Sequence, residues 1–119
     1  MPAKILVIDD EDSMCSFMEI MLVKEGYEVA STTSGLDGID KLRNENYDLV
    51  IADLSMPEIS GIEVLKEVKS FKSEQEVIVM TAFASVDTAI EAMKQGAADY
   101  VTKPFKVDEI KLVIEKSLN

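Results

Sequence analysis

Short runs of β-branched residues alternate with longer amphipathic segments along the whole chain, and this alternation restricts the possible folds more than any other feature. Each of the five short runs is followed by a segment with helical spacing. Parallel strands cannot be joined by tight hairpins, so such a pattern requires a parallel sheet with right-handed crossovers and helices on both faces. We therefore predict a doubly wound α/β fold, with strands at residues 5–8, 27–30, 49–51, 77–80 and 100–102.

Apolar residues recur every three or four positions in the segments between and after these strands. The first segment is predicted to be a core-facing helix, with Asp12 or Ser13 as its N-cap and Gly26 at its end. Its apolar residues are Met14, Phe17, Met18, Met21 and Leu22. The other four segments carry Leu36, Ile39 and Leu42; Ile62, Leu65 and Val68; Val86, Ala89, Ile90 and Met93; and Val107, Ile110 and Ile114.

Size and charge narrow the class of protein. The 119 residues fit one compact domain, so we expect a single domain over 1–119. With 23 acidic and 12 basic residues, the net charge of −11 repels phosphate backbones and anionic lipids. The first apolar run, Ile5 to Ile8, is too short for a signal peptide or a membrane span. We expect a cytoplasmic protein with no direct binding to nucleic acid or membrane.

Residue usage also limits the chemistry. Cys15 is the only cysteine, which excludes an internal disulfide and indicates a small buried residue in a reducing compartment. The sequence contains no histidine, which removes the commonest general base and the commonest ligand for transition metals. Any chemistry must therefore use carboxylates, hydroxyls and lysine.

Polar residues that could take part in binding or catalysis follow four of the predicted strands. Asp9-Asp10-Glu11 follows the first, Asp53 the third, Thr81 the fourth and Lys103-Pro104 the fifth. In open α/β sheets the ligand site lies beyond the carboxyl ends of the strands, where the strand order reverses. Each residue alone has an ordinary explanation, as a solvated acidic loop, a turn carboxylate, a strand-end cap or a surface lysine. Their joint placement favours a site.

Crowded carboxylates need a cation. Two of them at 4 Å repel by about 4 kcal/mol at an effective dielectric near 20. Oxygen ligands favour magnesium, calcium or manganese, and a site with few carboxylates plus a phosphate matches magnesium best. A carboxylate can also attack phosphorus if the developing charge is neutralised, which Mg²⁺, the Lys103 ammonium and the Thr81 hydroxyl could do together.

Four motifs, in this order along the chain, resemble those of the response-regulator receiver domains of two-component systems. They are Val7-Ile8-Asp9-Asp10-Glu11, Asp53-Leu54-Ser55-Met56-Pro57, Met80-Thr81-Ala82 and Lys103-Pro104-Phe105. Residues 81–100 are most similar to receivers of NtrC-type transcriptional activators. The resemblance covers essentially the whole chain and implies the flavodoxin-like fold with five parallel strands in the order 2-1-3-4-5.

The resemblance implies a role for each strand-end residue. Asp53 becomes the phosphoacceptor, and Thr81 and Lys103 contact the phosphoryl oxygens. The Mg²⁺ ligands are Asp10, Asp53 and the backbone carbonyl of Ser55, with Asp9 as a second acidic partner through water. Glu11 and Asp12 are expected to face solvent or to cap the first helix, outside the site.

The resemblance also implies partners. The phosphoryl donor is a phosphohistidine on a sensor histidine kinase, and the receiver catalyses only its own phosphorylation and dephosphorylation. We expect a fused effector domain outside this chain that regulates transcription. The alternative is a stand-alone receiver that acts by protein–protein contact without a DNA-binding output.

A switch and an output face follow from the same resemblance. Phosphorylation draws the Thr81 hydroxyl inward, which leaves space for the ring of Tyr100 to rotate. The output face is formed by the fourth helix, the fifth strand and the fifth helix, and it is where a homodimer would form, with Leu112 as a candidate contact. The Lys103-Pro104 peptide is expected to be cis, and Ser55 and Phe83 occupy positions that tune the lifetime of the phosphorylated state.

Three rival interpretations fit less well. A flavodoxin-like FMN carrier needs a hydroxyl- and glycine-rich loop after the first strand, where this chain has four acidic residues. A phosphatase with an aspartate nucleophile has that residue after the first strand and a second aspartate two positions later. In this chain Asp53 follows the third predicted strand, and the residue two positions later is Ser55. An adaptor that has lost phosphorylation would lack one of the acidic residues, Thr81 or Lys103.

Overall fold

Five parallel strands lie side by side at the centre of the molecule in the order β2-β1-β3-β4-β5. The structure is a computed structural model, and it describes residues 2–119. The strands are β1 (Lys4–Ile8), β2 (Glu28–Thr32), β3 (Leu49–Asp53), β4 (Val77–Thr81) and β5 (Asp99–Thr102). The helices are α1 (Asp12–Lys24), α2 (Gly35–Asn44), α3 (Gly61–Phe71), α4 (Val86–Lys94) and α5 (Val107–Leu118). The predicted fold class and strand order are confirmed.

The strand register brings the carboxyl ends of four strands to one edge of the sheet. Ile8 pairs with Ala52, Asp53 with Met80, and Thr81 with Thr102. The chain leaves β1 towards β2 and later returns to place β3 on the other side of β1. This reversal of direction lies between β1 and β3, which is where open α/β sheets form their ligand sites.

Alternating side chains of each strand enter two separate cores, one on each face of the sheet. On one face Leu6, Val50 and Val79 pack with residues of α2, α3 and α4. On the other face Val7 and Ile51 pack in a second cluster with residues of α1 and α5. The central strands β1, β3 and β4 are therefore largely apolar and buried, as expected for a sheet that is covered on both faces, whereas the edge strands β2 and β5 are only partly buried.

The structure corrects several predicted boundaries. Strands β1 and β5 each begin one residue earlier than predicted, at Lys4 and Asp99, and β2, β3 and β4 end one or two residues later, at Thr32, Asp53 and Thr81. The second strand begins at Glu28, not at residue 27, because the Tyr27 N–H donates to the carbonyl of Leu22 and completes the end of α1. Helix α1 has Glu11 as its N-cap, not Asp12 or Ser13, and no side chain caps it. Gly26 ends this helix as predicted, with a φ of 94° that favours glycine.

The apolar spacing predicted the helices correctly but not always the side that faces the core. In α4 the only buried residue is Ala92, whereas Val86, Ile90 and Met93 are 75%, 49% and 52% exposed. Leu36 in α2 also faces solvent. Val86, Ile90 and Met93 lie on one side of α4, and Phe83, three residues before the helix, is also exposed; we call these four residues the α4 patch.

Other predictions can be compared with the structure directly. Cys15 is buried, as expected, and Leu112 is exposed. Phe17 is partly exposed and its ring lies 6.5 Å from that of Phe105, between centroids. Within residues 2–119, the helices are too short and too polar to cross a bilayer.

Candidate phosphoacceptor and metal site

Lys103 joins two buried carboxylates at the carboxyl edge of the sheet. Its ammonium donates to Asp9 Oδ2 at 2.8 Å and to Asp53 Oδ2 at 3.0 Å. The exposed fractions of the three side chains are only 9%, 0% and 5% for Lys103, Asp9 and Asp53. Burial strengthens the attraction between these charges but also removes their hydration, so each carboxylate depends on Lys103 for compensation. The bridge links residues that are 94 and 50 positions apart.

The pKa of Lys103 is raised by this environment. Burial opposes the charged ammonium and acts to lower the pKa, and it is the largest single effect. The hydrogen bonds and charges of Asp9 and Asp53 act in the opposite direction and together outweigh it. Lys103 is therefore held as a cation at the point where several acidic groups meet.

Three aspartates form a cluster that can hold a metal ion. One carboxylate oxygen from each of Asp9, Asp10 and Asp53 lies within 4.8 Å of the others. Asp9 and Asp53 are buried, whereas Asp10 is exposed and reaches the site from its outer side. A set of carboxylate oxygens that is open to water on one side fits a hard divalent ion such as Mg²⁺, which keeps several of its waters.

Local turns orient the carboxylates. The N–H of Glu11 donates to Asp9 Oδ1 at 3.0 Å, and the N–H of Ser55 donates to Asp53 Oδ1 at 3.0 Å. In each case the acidic side chain accepts from the residue two positions later, which is a turn that Asp forms readily. The same turn at Asp53 brings Ser55, the predicted carbonyl ligand, beside the cluster.

Thr81 lies at the end of β4 beside Asp53, which ends β3. Thr81 is 1% exposed, and its hydroxyl accepts from the N–H of Phe83 at 3.0 Å and lies 3.4 Å from Ser55 Oγ. The carbonyl of Thr81 accepts from the N–H of Lys103 at 2.8 Å. The Lys103-Pro104 peptide is cis, as predicted.

The hydroxyl of Tyr100 is hydrogen-bonded to Thr88 and not to Thr81 in this structure. It lies 2.8 Å from Thr88 Oγ1, in the first turn of α4. Thr88 also forms the capping box of that helix with Ser85. The hydroxyl of Thr88 therefore takes part both in the helix cap and in the hydrogen bond with Tyr100. Thr88 was not among the predicted residues, because the motif Ser85-x-x-Thr88 is only a weak indication of a cap.

The structure therefore brings together all of the predicted phosphoacceptor and metal residues. Asp9, Asp10, Asp53, Thr81 and Lys103 converge from four strand ends, with Ser55 next to them. Glu11 and Asp12 are exposed, as expected. Such a set can hold a divalent cation and present a carboxylate to an incoming phosphoryl group, with an ammonium and a hydroxyl close by.

Comparison with known proteins identifies relatives of the whole chain. The family described as response regulator receiver domain matches residues 5–115. The transcriptional regulatory protein ZraR of Klebsiella oxytoca, an NtrC-family regulator, is 45% identical over 114 residues. This alignment covers 96% of the chain but 26% of ZraR, so the chain spans about a quarter of that relative's length.

Solved structures agree with the family match. The response regulator TrrA of Thermotoga maritima, in complex with Mg²⁺ and BeF, is 36% identical with a TM-score of 0.90. The alignment covers 99% of this chain and 100% of that one. The beryllofluoride-activated dimer of the NtrC4 receiver domain is 31% identical with a TM-score of 0.92, over 97% and 95% of the two chains.

The family match covers almost the entire sheet, and the strand-end residues on which the resemblance rested converge at one edge of it. The chain belongs to the response regulator receiver domain family, and its relatives include NtrC-family transcriptional regulators.

Proposed function

We propose that this chain is a phosphoacceptor switch that receives a phosphoryl group on Asp53 in a Mg²⁺-dependent reaction. The observation that carries the proposal is the bridge from Lys103 to both Asp9 and Asp53, inside a cluster of three aspartates. A buried acidic cluster held by a single lysine is costly as a purely structural feature, because charges lose their hydration on burial. It is useful where a cation and a phosphoryl group are to be bound.

The proposed reaction is an in-line displacement at phosphorus. An oxygen of the Asp53 carboxylate attacks the phosphoryl group of a phosphohistidine, an O–P bond forms, and the P–N bond to the imidazole breaks. The imidazole keeps the electron pair of that bond and takes up a proton. Lys103 already donates to Asp53 Oδ2, so a small movement of its ammonium brings it to a phosphoryl oxygen. The Thr81 hydroxyl would donate to another phosphoryl oxygen.

The acidic cluster defines which residues would hold the metal. Asp10, Asp53 and the Ser55 carbonyl would be the direct ligands of Mg²⁺, and Asp9 would bind through water. When bound, Mg²⁺ would neutralise the charge on the phosphoryl oxygens and reduce their repulsion from the acidic residues. The solved TrrA structure, which contains Mg²⁺ and BeF, supports this choice of ion.

The donor in this proposal is a sensor histidine kinase. The chain contains no histidine, so the phosphohistidine must lie outside these 119 residues. We propose that the chain catalyses only its own phosphorylation and the hydrolysis of its aspartyl phosphate, and that it acts in the cytoplasm. Its net charge of −11 argues against direct binding to nucleic acid by this domain.

The output is proposed to be regulation of transcription through an effector domain. The length of ZraR, about four times that of the matched region, supports a fused effector. The alternative is a receiver that acts alone by protein–protein contact, and the coverage of the whole TrrA chain is the observation that supports it.

The proposed switch connects Thr81 to the face formed by α4, β5 and α5. Movement of the Thr81 hydroxyl towards a phosphoryl group would leave space for the ring of Tyr100, whose hydroxyl contacts the first turn of α4. A change at α4 would then reach the exposed α4 patch. We propose that phosphorylation promotes a homodimer through this face, as supported by the dimeric NtrC4 receiver and by exposed Leu112 on α5.

Phosphorylation by a small donor tests the proposal. The protein is incubated with Mg²⁺ and acetyl phosphate, and its intact mass is measured for a labile phosphoryl adduct. We expect the adduct in the wild type, its loss when Mg²⁺ is removed by a chelator, and its absence from Asp53→Asn.

The matched control is Asp40→Asn, which removes an exposed carboxylate of α2 far from the site. This variant is expected to form the adduct at the level of the wild type. If Asp53→Asn forms it at that level too, Asp53 is not the phosphoacceptor and the proposal is wrong.

A further inference from the structure

Gly61, the first residue of α3, is buried against the backbone of the phosphoacceptor. Its φ angle is not positive: among residues 2–119 only Gly26 and Gly96 are glycines with positive φ. The conformation of Gly61 would therefore accept alanine, which is also a better helix former. The reason for glycine at this position must be space.

The space is limited by main-chain atoms of the phosphoacceptor strand. A Cβ atom on Gly61 would lie against the carbonyl oxygen of Asp53, 2.7 Å from Leu54 Cα and 2.9 Å from the carbonyl carbon of Asp53. Cβ atoms essentially never approach other atoms within 3.0 Å. Because these neighbours are backbone atoms, no side-chain rotation can relieve the clash. Either the first turn of α3 or the Asp53–Leu54 segment has to move.

This contact is connected to the acidic side chain by two hydrogen bonds. The N–H of Gly61 donates to the carbonyl of Leu54 at 3.2 Å, which closes the loop between β3 and α3 on itself. At the start of the same loop, the N–H of Ser55 donates to Asp53 Oδ1 at 3.0 Å. A displacement of the Asp53–Leu54 segment therefore changes the direction of the Asp53 carboxylate and the place of the Ser55 carbonyl.

We infer that Gly61 is a positioning residue for the phosphoacceptor. Its missing side chain lets the first turn of α3 support the Asp53–Leu54 peptide and thereby places the Asp53 carboxylate and the Ser55 carbonyl for the metal and the phosphoryl group. The inference rests on the proposed function of Asp53. It adds a residue that contacts neither the ion nor the phosphoryl group but sets the geometry of two groups that do.

The first experiment compares Gly61→Ala with Gly38→Ala. Gly38, in α2, is also tightly packed, but the atoms nearest to its added Cβ are Ile8 Cδ1 at 2.5 Å and Ile8 Cγ1 at 3.0 Å, which belong to a side chain. Mg²⁺ affinity is measured by calorimetric titration with Mg²⁺ alone, and phosphorylation by the rate of adduct formation with acetyl phosphate. Circular dichroism reports the folded fraction.

Gly61→Ala is expected to bind Mg²⁺ about tenfold more weakly or worse, as for other losses of support behind metal ligands. Its phosphorylation rate is expected to fall by about 10²-fold, as for a small misplacement of a reacting group. In amide NMR spectra the Leu54 and Ser55 signals should shift before any Mg²⁺ is added. Gly38→Ala should keep the Mg²⁺ affinity of the wild type.

A second pair of variants decides the question if Gly61→Ala does not fold. Ser60→Ala removes the N-cap of α3, whose hydroxyl accepts from the N–H of Glu63 at 3.2 Å. Ser34→Ala removes the equivalent cap of α2, whose hydroxyl accepts from the N–H of Asp37 at 3.1 Å. Ser60→Ala also removes the bond from the Ser60 hydroxyl to Glu63 Oε1 at 3.3 Å, so its loss of stability should be the larger of the two, and Mg²⁺ affinities are compared under conditions where both variants are folded. Only Ser60→Ala loosens the turn that supports Asp53, so only this variant should lose Mg²⁺ affinity.

The outcomes separate the inference from the proposed function. If the wild type forms no adduct with acetyl phosphate, the proposed function fails. If the wild type forms it and folded Gly61→Ala matches the wild type in Mg²⁺ affinity and rate, the inference is overturned. Equal Mg²⁺ affinities for Ser60→Ala and Ser34→Ala overturn it in the same way when Gly61→Ala is unfolded.

Discussion

The hydroxyl groups of Tyr100 and Thr88 lie 2.8 Å apart, and their contact joins β5 to the first turn of α4. Thr88 is at the same time part of the capping box that begins α4, since its N–H donates to Ser85 Oγ at 3.1 Å. Any rotation of the Tyr100 ring must therefore change the surroundings of the α4 cap. This gives the proposed switch a direct physical connection to the α4 patch.

The energetic coupling of these two hydroxyls can be measured with a double-mutant cycle. Tyr100→Phe and Thr88→Ala should each lower the free energy of unfolding by about 1 kcal/mol, the usual contribution of a hydrogen bond or a cap. Because the two side chains share one bond, the double mutant should lose less than the sum, by about 1 kcal/mol. Urea unfolding provides the values. Additive losses, within about 0.3 kcal/mol, would show that the contact carries no coupling.

Removal of the Lys103 charge should destabilise the metal-free protein. Lys103→Met leaves Asp9 and Asp53 buried without their cation, which is expected to cost about 3 kcal/mol of unfolding free energy. Mg²⁺ should then stabilise this variant more than it stabilises the wild type, because the ion supplies the missing positive charge. Urea unfolding with and without Mg²⁺ measures both effects.

The control for this prediction is Lys94→Met, which removes an exposed lysine of α4. Surface lysines contribute little to stability, so this variant should be within about 0.5 kcal/mol of the wild type. If Lys103→Met is as stable as Lys94→Met in the absence of Mg²⁺, the bridge does not stabilise the fold.

Tyr47 should titrate at unusually high pH. Burial, followed by the hydrogen bond at 2.7 Å to Glu45 Oε2 and the charge of Glu45, raises its pKa from 10.0 to about 12. A raised pKa in the folded state means that stability is fully present below pH 10 and decreases as the pH rises towards 12. In an alkaline absorbance titration, Tyr47→Phe should lose the part of the tyrosinate signal that appears at the highest pH.

A second variant separates burial from the carboxylate effect at Tyr47. Glu45→Gln removes the negative charge, so the pKa of Tyr47 should decrease but remain above 10.0, because burial, the largest cause, persists. A Tyr47 signal that titrates at the same pH in Glu45→Gln and in the wild type would contradict the role of Glu45.

The α4 patch provides a test of the proposed dimer. Ile90→Lys places a charge among exposed apolar residues and should abolish dimer formation after treatment with Mg²⁺ and acetyl phosphate, as measured by sedimentation velocity. The matched variant Ile20→Lys introduces the same charge at an exposed isoleucine of α1. The dimer should persist in Ile20→Lys; its loss in both variants, or in neither, would place the contact elsewhere.

Residues at the ends of strands could be predicted most accurately from the sequence. The carboxyl ends of adjacent parallel strands have to meet at one edge, so Asp9, Asp53, Thr81 and Lys103 could be assigned to one site without coordinates. Their actual distances confirm that they converge. The roles of these residues in phosphoryl transfer remain predictions that the experiments above test.

The side of a helix that faces the core could be predicted least accurately. In α4 the spacing of Val86, Ile90 and Met93 is that of a core stripe, yet these residues face solvent and Ala92 faces the core. Periodicity shows only that one side of a helix is apolar. In this helix the crossover from β4 to β5 places the small side of the helix against the sheet and leaves the larger apolar side exposed.

The sequence by itself determined the class of fold, the order of its elements and the edge of the sheet that carries the polar residues, because these depend on local periodicity and on the rules for connecting parallel strands. Only the tertiary structure decided that Lys103 bridges Asp9 and Asp53, that Tyr100 contacts Thr88 and that Gly61 lies against the Asp53 backbone. These contacts depend on how the helices and loops pack against the sheet, and local spacing contains no information about that packing.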